Sequence, residues 1–286
     1  MSPSAFLKWA LISTLGMSAC QSGETTGGSG DPMQDGGMDQ GGSTSGSRFS
    51  FFVTSLKALQ DLSKNPNGFG GDLRFGETGA GAGLRGADKI CAAIAERSMA
   101  GAGKKTWRAF LSAANDGNGN AVHAIDRVGN GPWYDRLGRV LAMTKNDLVA
   151  VRPVGADPSI QNDFPNEDGV PNHQPDPNQP PVDNHDMLTG TDSSGRLYGA
   201  MFTCKDWTAN AGDKLTEGQP RVGHSWPRTG GGGIGGNSGA HWMNSLTESG
   251  CAPGVNLVEM GPPMASSNTV GSGGGYGGFY CFALTP

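Results

Sequence analysis

Four cysteines, Cys91, Cys204, Cys251 and Cys281, constrain this chain more than any other feature, because they fix where distant segments can be joined. No pair among them has the two-to-four-residue gap of a zinc-binding loop, so in an exported chain the even set implies two disulfide bridges. Spacing leaves three pairings open. Around Cys204 lies TGTDSSGRLYGAMFTCKDW, residues 189–207, where a Gly/Asp/Ser turn is expected to feed a short strand ending at the cysteine.

A fifth cysteine, Cys20, belongs to a different story. Residues 1–19 have a polar start with Lys8, an apolar run Trp9–Met17 too short to span a bilayer, and small residues before Cys20. This is the build of an export signal. Residues 21–47 follow, rich in Gly, Ser, Thr, Asp and Gln and free of Lys and Arg until Arg48, a composition that cannot bury enough apolar area to fold. As a Gly-rich coil this tether would reach on the order of 30 Å.

The remainder, 48–286, is expected to form one domain. The chain's 49 Gly, 18 Pro and 35% hydrophobic content allow one core with long excursions rather than two compact bodies. Short strand-like fragments at Phe49–Thr54, Trp107–Leu111, Leu148–Arg152 and Phe279–Leu284, and a single clear helix at Ala87–Arg97, predict an α+β class with little helix. The first fragment is expected to pair with the last. In the helix, Ile90, Cys91, Ile94 and Ala95 share one face, and Asp88 is expected in the first turn, where the helix dipole favours a carboxylate. Trp133 and Tyr134 are expected to pack in the core or at its rim.

A net charge of −5 and a pI near 5.5, with no cluster of Lys or Arg, disfavour nucleic acid as a partner. No GxxxxGK[ST] loop, HExxH or Ser-elbow pattern is present, and pairing leaves no cysteine for catalysis. The chain is therefore not expected to be an enzyme.

Two stretches carry candidate binding chemistry. Residues 153–188 form an acidic, proline-rich loop with Asp163, Glu167, Asp168, Asp176, Asp183 and Asp186, the kind of oxygen-rich set that suits Ca²⁺. The bland alternative is a solvated, proline-stiffened loop. Residues 227–240 form a Gly-rich loop flanked by Trp226 and Trp242, which either present aromatic faces to a ligand or plug the core.

The Met17-Ser-Ala-Cys20 sequence resembles the lipobox of bacterial lipoproteins, in which the cysteine is acylated; Met17 stands where Leu is usual. That resemblance implies Cys20 as the lipidation site, a membrane anchor through the amino-terminal lipid, and residence in the bacterial cell envelope, at the outer membrane or cell surface. GLRGADKIC, TWRAFLS, GTDSSG with its CKDW ending, and the terminal FYCFAL resemble, in this order, endostatin and related bacterial lipoproteins of the C-type-lectin-like fold. The resemblance spans about 48–286. It implies nested bridges, Cys91 with Cys281 and Cys204 with Cys251.

Gln174-Pro175-Asp176 resembles the tripeptide by which many C-type lectins hold Ca²⁺ and a sugar, and Trp242-Met243-Asn244 resembles part of their second ligand set, without its Asp. The implied ligand residues are Gln174, Asp176, Trp226, Trp242 and Asn244. Endostatin's amino-terminal zinc histidines have no counterpart in residues 48–75, and its basic heparin surface is poorly matched by Arg85, Arg108 and Arg127. The function expected is a lipid-anchored recognition module for a carbohydrate, matrix or envelope-protein ligand. The alternatives are a structural envelope protein that assembles with a protein partner and, more distantly, a formylglycine-generating enzyme, whose late GGxxC-type segment GGFYCFA partly matches.

Overall fold

In a computed structural model, residues 47–173, 182–227, 240–257 and 267–286 are described, and they fall within the compact unit Ser45–Pro286. The export signal, Cys20, nearly all of the tether, Gln174 and Asp176 lie outside the described residues. The architecture is α+β with short helices and two disulfides.

The chain is organised around its last strand, β8 (Gly275–Ala283), all nine residues of which are buried. Strands β1 (Phe51–Val53) and β2 (Trp107–Ala109) both pair antiparallel with its carboxyl-terminal half, bringing Phe52 and Ala109 to Cys281. The expected pairing of first and last strands is present. Further along, β5 (Asp186–Leu188) runs parallel to β8 and continues the sheet through β6 (Arg221–His224) and β7 (Leu246–Thr247). A small hairpin, β3 (Trp133–Tyr134) with β4 (Val140–Ala142), stands apart from it.

Aromatic side chains fill the core. Phe110, Phe164, Tyr280 and Phe282 pack ring to ring with Trp242, Phe51 packs on Phe164, Tyr280 and Phe282, and Trp107 closes on Phe49 and Phe52. Trp133 packs edge-on against Phe282 and is fully buried, as expected for a core residue.

Against this sheet lies α2 (Ala82–Ser98), which presents Ile90, Cys91, Ile94 and Ala95 to the core. The helix begins five residues before the expected start at Ala87, and its glycines explain the difference. A Cβ at Gly83 would stand 2.1 Å from the Asp206 carbonyl oxygen, and one at Gly86 2.1 Å from that of Leu73. These glycines give close backbone contact, although in sequence they resemble a turn. Asp88 consequently sits mid-helix rather than in the first turn. Its carboxylate takes two hydrogen bonds from Arg127, at 2.8 and 2.9 Å, and one of 2.9 Å from the Ala109 amide.

Two expected strands are absent. Leu148 ends a one-turn helix, Lys145–Leu148, and the irregular backbone that follows is satisfied from other segments. The Trp242 indole donates to the Leu148 carbonyl at 2.9 Å and the Trp242 amide to that of Val151 at 3.1 Å. Arg152 lies over the Phe164 ring and donates to the carbonyls of Gln161, His224 and Ser225.

Before Cys204 there is also no strand. A 3-10 turn, Ala200–Phe202, leads into Cys204–Trp207, whose four φ values of +48°, +52°, +54° and +66° lie in the left-handed region. At about 1–2 kcal/mol per non-glycine residue this conformation is costly, so it must be imposed. Cys204 is bonded to Cys251; the Trp207 indole donates to the Ser112 carbonyl at 2.8 Å; and the Asp206 carboxylate accepts from the amides of Ala114 and Asn115.

The bridges are the nested pair, Cys91–Cys281 joining α2 to β8 across 190 residues and Cys204–Cys251 enclosed within it across 47. Among the described residues no helix is long and apolar enough to cross a membrane.

Candidate functional site

The sheet places titratable side chains together at the start of β8. Asp186 opens β5, and antiparallel register sets it opposite His224, the last residue of β6. Parallel register sets Asp186 against Gly275. Glu248 follows directly on β7, and Asp183 and His185 precede β5, so five groups from three chain segments meet within the fold. Their exposures are 1% for Asp183, 0% for His185, Asp186 and Glu248, and 2% for His224.

Both imidazoles approach one oxygen. His224 Nε2 is 2.9 Å from Asp186 Oδ1 and His185 Nε2 is 3.4 Å from it, with the rings edge to face at 3.9 Å between centroids. The opposite ring nitrogens are also engaged: His185 Nδ1 contacts the Asp183 carboxylate, and His224 Nδ1 lies 3.2 Å from the Ser245 hydroxyl.

Glu248 is similarly two-sided. Its Oε2 accepts from the Ser272 hydroxyl and, at 2.8 Å, from the Gly273 amide, whereas the buried Oε1 receives no hydrogen bond from any described N–H or O–H group. Asp186 Oδ2 is buried and finds a donor only if the neighbouring Glu248 carboxyl is protonated.

The glycines at the start of β8 are required by this arrangement. A Cβ on Gly274, whose φ is +122°, would stand 2.4 Å from the Asp183 carboxyl carbon, and one on Gly275 would stand 3.0 Å from the Asp186 Cβ.

Electrostatics separate the two central carboxyls. Burial pushes the Glu248 carboxyl well above the usual range, and the neighbouring Asp186 charge pushes it further, outweighing Ser272 and Gly273. Burial also acts upward on Asp186, but the imidazoles of His185 and His224 outweigh it and hold Asp186 below its ordinary value. Two buried carboxyls side by side need a proton or a cation between them. In the first case Glu248 carries the proton. The cluster is closed to solvent, so acid–base work on an external substrate has no approach through the described residues.

The other expected carboxylates do not join it. Asp163 is half-buried, accepts from the His173 amide at 2.9 Å, and is raised by burial against the opposing effect of that bond. Glu167 accepts from the Ser55 amide and hydroxyl at the start of helix α1 (Leu56–Ser63), and Asp168 is exposed. Of the six residues expected to hold Ca²⁺, Asp183 and Asp186 meet in the cluster, Asp163, Glu167 and Asp168 lie elsewhere, and Asp176 lies outside the described residues. The calcium shell therefore does not assemble among the described residues, because Glu167 is taken up in joining its loop to a helix start.

Among the expected ligand residues, Trp242 is a core side chain and offers no face to a ligand. Asn244 Oδ1 accepts from Arg221 Nε at 2.5 Å, which commits it to the sheet. Trp226 is half-buried, stacked on His173 at 3.9 Å between centroids, with its indole donating to Asn184 Oδ1 at 2.9 Å.

Sequence reasoning missed His185, His224 and Glu248. Asp183-Asn-His185-Asp186 does hold an imidazole between two carboxylates, and that was the available signal. Glu248, within SLTESG, had none.

A second feature lies on the surface. A recess of about 420 Å³ is lined by residues that include Asn65, Phe69, Asp72, Arg74, Phe75 and Asn210. Phe75 is 36% exposed, meets Phe69 edge to face at 5.9 Å, and has φ +44°. Beside it, Arg74 makes a two-pronged pair with Asp72 at 2.8 and 2.5 Å.

The four cysteines Cys91, Cys204, Cys251 and Cys281 are all in bridges. No protein-family model matches this chain, and no curated protein matches it.

Proposed function

We propose that the protein is a non-catalytic recognition module of the C-type-lectin-like class, anchored in the bacterial envelope by a lipid on Cys20, with a carbohydrate as its extracellular ligand. The observation that carries this reading is Phe75. A bulky residue in the left-handed region is strained, and such strain persists where surrounding structure imposes it, often at binding sites. Here it keeps an aromatic face at a recess edged by the Asp72–Arg74 pair and the amides of Asn65 and Asn210. An apolar face beside a few planar hydrogen-bonding groups suits a sugar ring.

The bridging of all four cysteines supports binding over thiol chemistry, and the closure of the acid–imidazole cluster supports binding over hydrolysis. The test is a glycan array probed with the detergent-solubilised full chain, with calcium and with EDTA. A retained sugar class is expected, with Phe75→Ala weakening binding at least about tenfold at unchanged melting temperature. Retention of no glycan under either condition overturns the carbohydrate reading, and capture of an envelope protein alone would favour the structural alternative.

A further inference from the structure

We propose that His185 Nε2, His224 Nε2 and the Asp186 carboxylate, with the Glu248 carboxyl beside Asp186, hold a divalent transition-metal ion of the zinc type in a closed, structural site. The proposal stands independently of the surface recess. Donor atoms of His185, Asp186 and His224 lie within 4.8 Å of one another. Tetrahedral bonds of about 2.0–2.1 Å place neighbouring ligand atoms about 3.3 Å apart. The imidazole-to-carboxylate separations of 2.9 and 3.4 Å bracket that value.

The outer contacts point the same way. Metal-bound imidazoles use the second ring nitrogen on a carboxylate or another oxygen, which fixes tautomer and orientation. Asp183 does this for His185, and the Ser245 hydroxyl for His224. On Glu248, Ser272 and Gly273 hold Oε2 and leave Oε1 fully buried with no donor. Asp186 Oδ2 is in the same position. With both carboxyls ionised, these two oxygens have no donor, and beside two oriented imidazoles a divalent cation takes the place of the proton that Glu248 would otherwise share with Asp186.

Two nitrogen ligands select the class of ion. Calcium takes six to eight oxygens, whereas zinc accepts mixed imidazole and carboxylate sets with four ligands. The burial of all three ligands and of Glu248 leaves no solvent-facing position for substrate water, so the role is structural. The ion would join β5, β6, the residue after β7 and, through Ser272 and Gly273, the approach to β8. Neither disulfide spans these segments: Cys91–Cys281 ties α2 to the far end of β8, and Cys204–Cys251 ties the left-handed turn.

The test uses the full chain, solubilised in detergent from cells grown with zinc, cobalt or added calcium, with metal content measured by mass spectrometry after prolonged dialysis against EDTA. The expected result is one zinc per chain, released on unfolding in guanidinium, and in the cobalt-grown protein the strong visible bands of tetrahedral Co²⁺. Asp183→Asn should weaken zinc about 10–100-fold in chelator competition, as loss of an outer-shell carboxylate does, with both disulfides still formed. Glu248→Gln should weaken it further, and Asp168→Asn should change nothing. Chain with both bridges formed that retains neither zinc nor cobalt overturns the proposal, as does retention of calcium in their place. Equal zinc affinity in wild type and Asp183→Asn would also overturn it.

Discussion

Replacing Cys91 and Cys281 together by alanine removes the outer bridge, and the effect can be worked from the loop it closes. In the chain-entropy view, a 190-residue loop is worth about 5 kcal/mol at 25 °C and the 47-residue inner loop about 4 kcal/mol. Both sulfurs of the outer bridge are fully buried, so their removal from a packed core adds about 1–2 kcal/mol. Against a whole-domain stability of about 5–15 kcal/mol, the double variant should retain little margin. Urea unfolding followed by tryptophan fluorescence reads both quantities. The midpoint should fall sharply, and the slope should rise because the unfolded chain expands and exposes more surface. A loss below about 2 kcal/mol with an unchanged slope would refute the reasoning, since it would mean that α2 and β8 already associate in the denatured chain.

Three further outcomes follow from particular contacts. Lys205 is exposed at φ +52°, so Lys205→Gly should stabilise the protein by about 1 kcal/mol in the same urea assay; destabilisation would argue against a left-handed turn at Cys204–Trp207. Removing Asp88 strands the nearly buried Arg127, so Asp88→Ala should cost about 3–5 kcal/mol, most of it recovered in Asp88→Leu/Arg127→Met if the charge itself is the problem. Burial raises the Glu167 carboxyl above 4.5 despite its hydrogen bonds from Ser55, so the folded state holds that proton more tightly than the unfolded chain. Its contribution to stability is therefore full below pH 4.5 and is lost as pH rises through the higher folded value. Glu167→Gln should remove that decline from the stability–pH curve, and an unchanged curve would contradict the assignment.

Where the sequence was informative, one local rule agreed with the packing. Apolar spacing marked the inward face of α2, and the aromatic density of Phe49–Thr54 and Phe279–Leu284 marked the two strands that meet. Where it failed, a tertiary contact replaced the local rule. Gly83 and Gly86 resemble a turn until the Asp206 and Leu73 carbonyls are seen against them. Leu148–Arg152 resembles a strand, yet Trp242 and Arg152 supply the bonds that a neighbouring strand would have given. The left-handed turn at Cys204 cannot be inferred from CKDW, because its causes lie at Ser112, Ala114 and Cys251.

The acid–imidazole cluster was half legible. Asp183 and Asp186 were visible as carboxylates in a loop without cations, but an oxygen-rich loop suggested calcium spread along its length. Strand register sets Asp186 against His224 across 38 positions of sequence, and Glu248 arrives from just beyond a third strand. That convergence changes the chemistry from an oxygen shell to a mixed nitrogen and oxygen set.

X-ray absorption at the zinc edge of the full chain tests the metal centre most directly. The account predicts four nitrogen or oxygen ligands at about 2.0–2.1 Å, the outer-shell scattering of two imidazoles, and no sulfur near 2.3 Å. A spectrum with a sulfur shell, or protein with both bridges formed and no zinc edge at all, would contradict it.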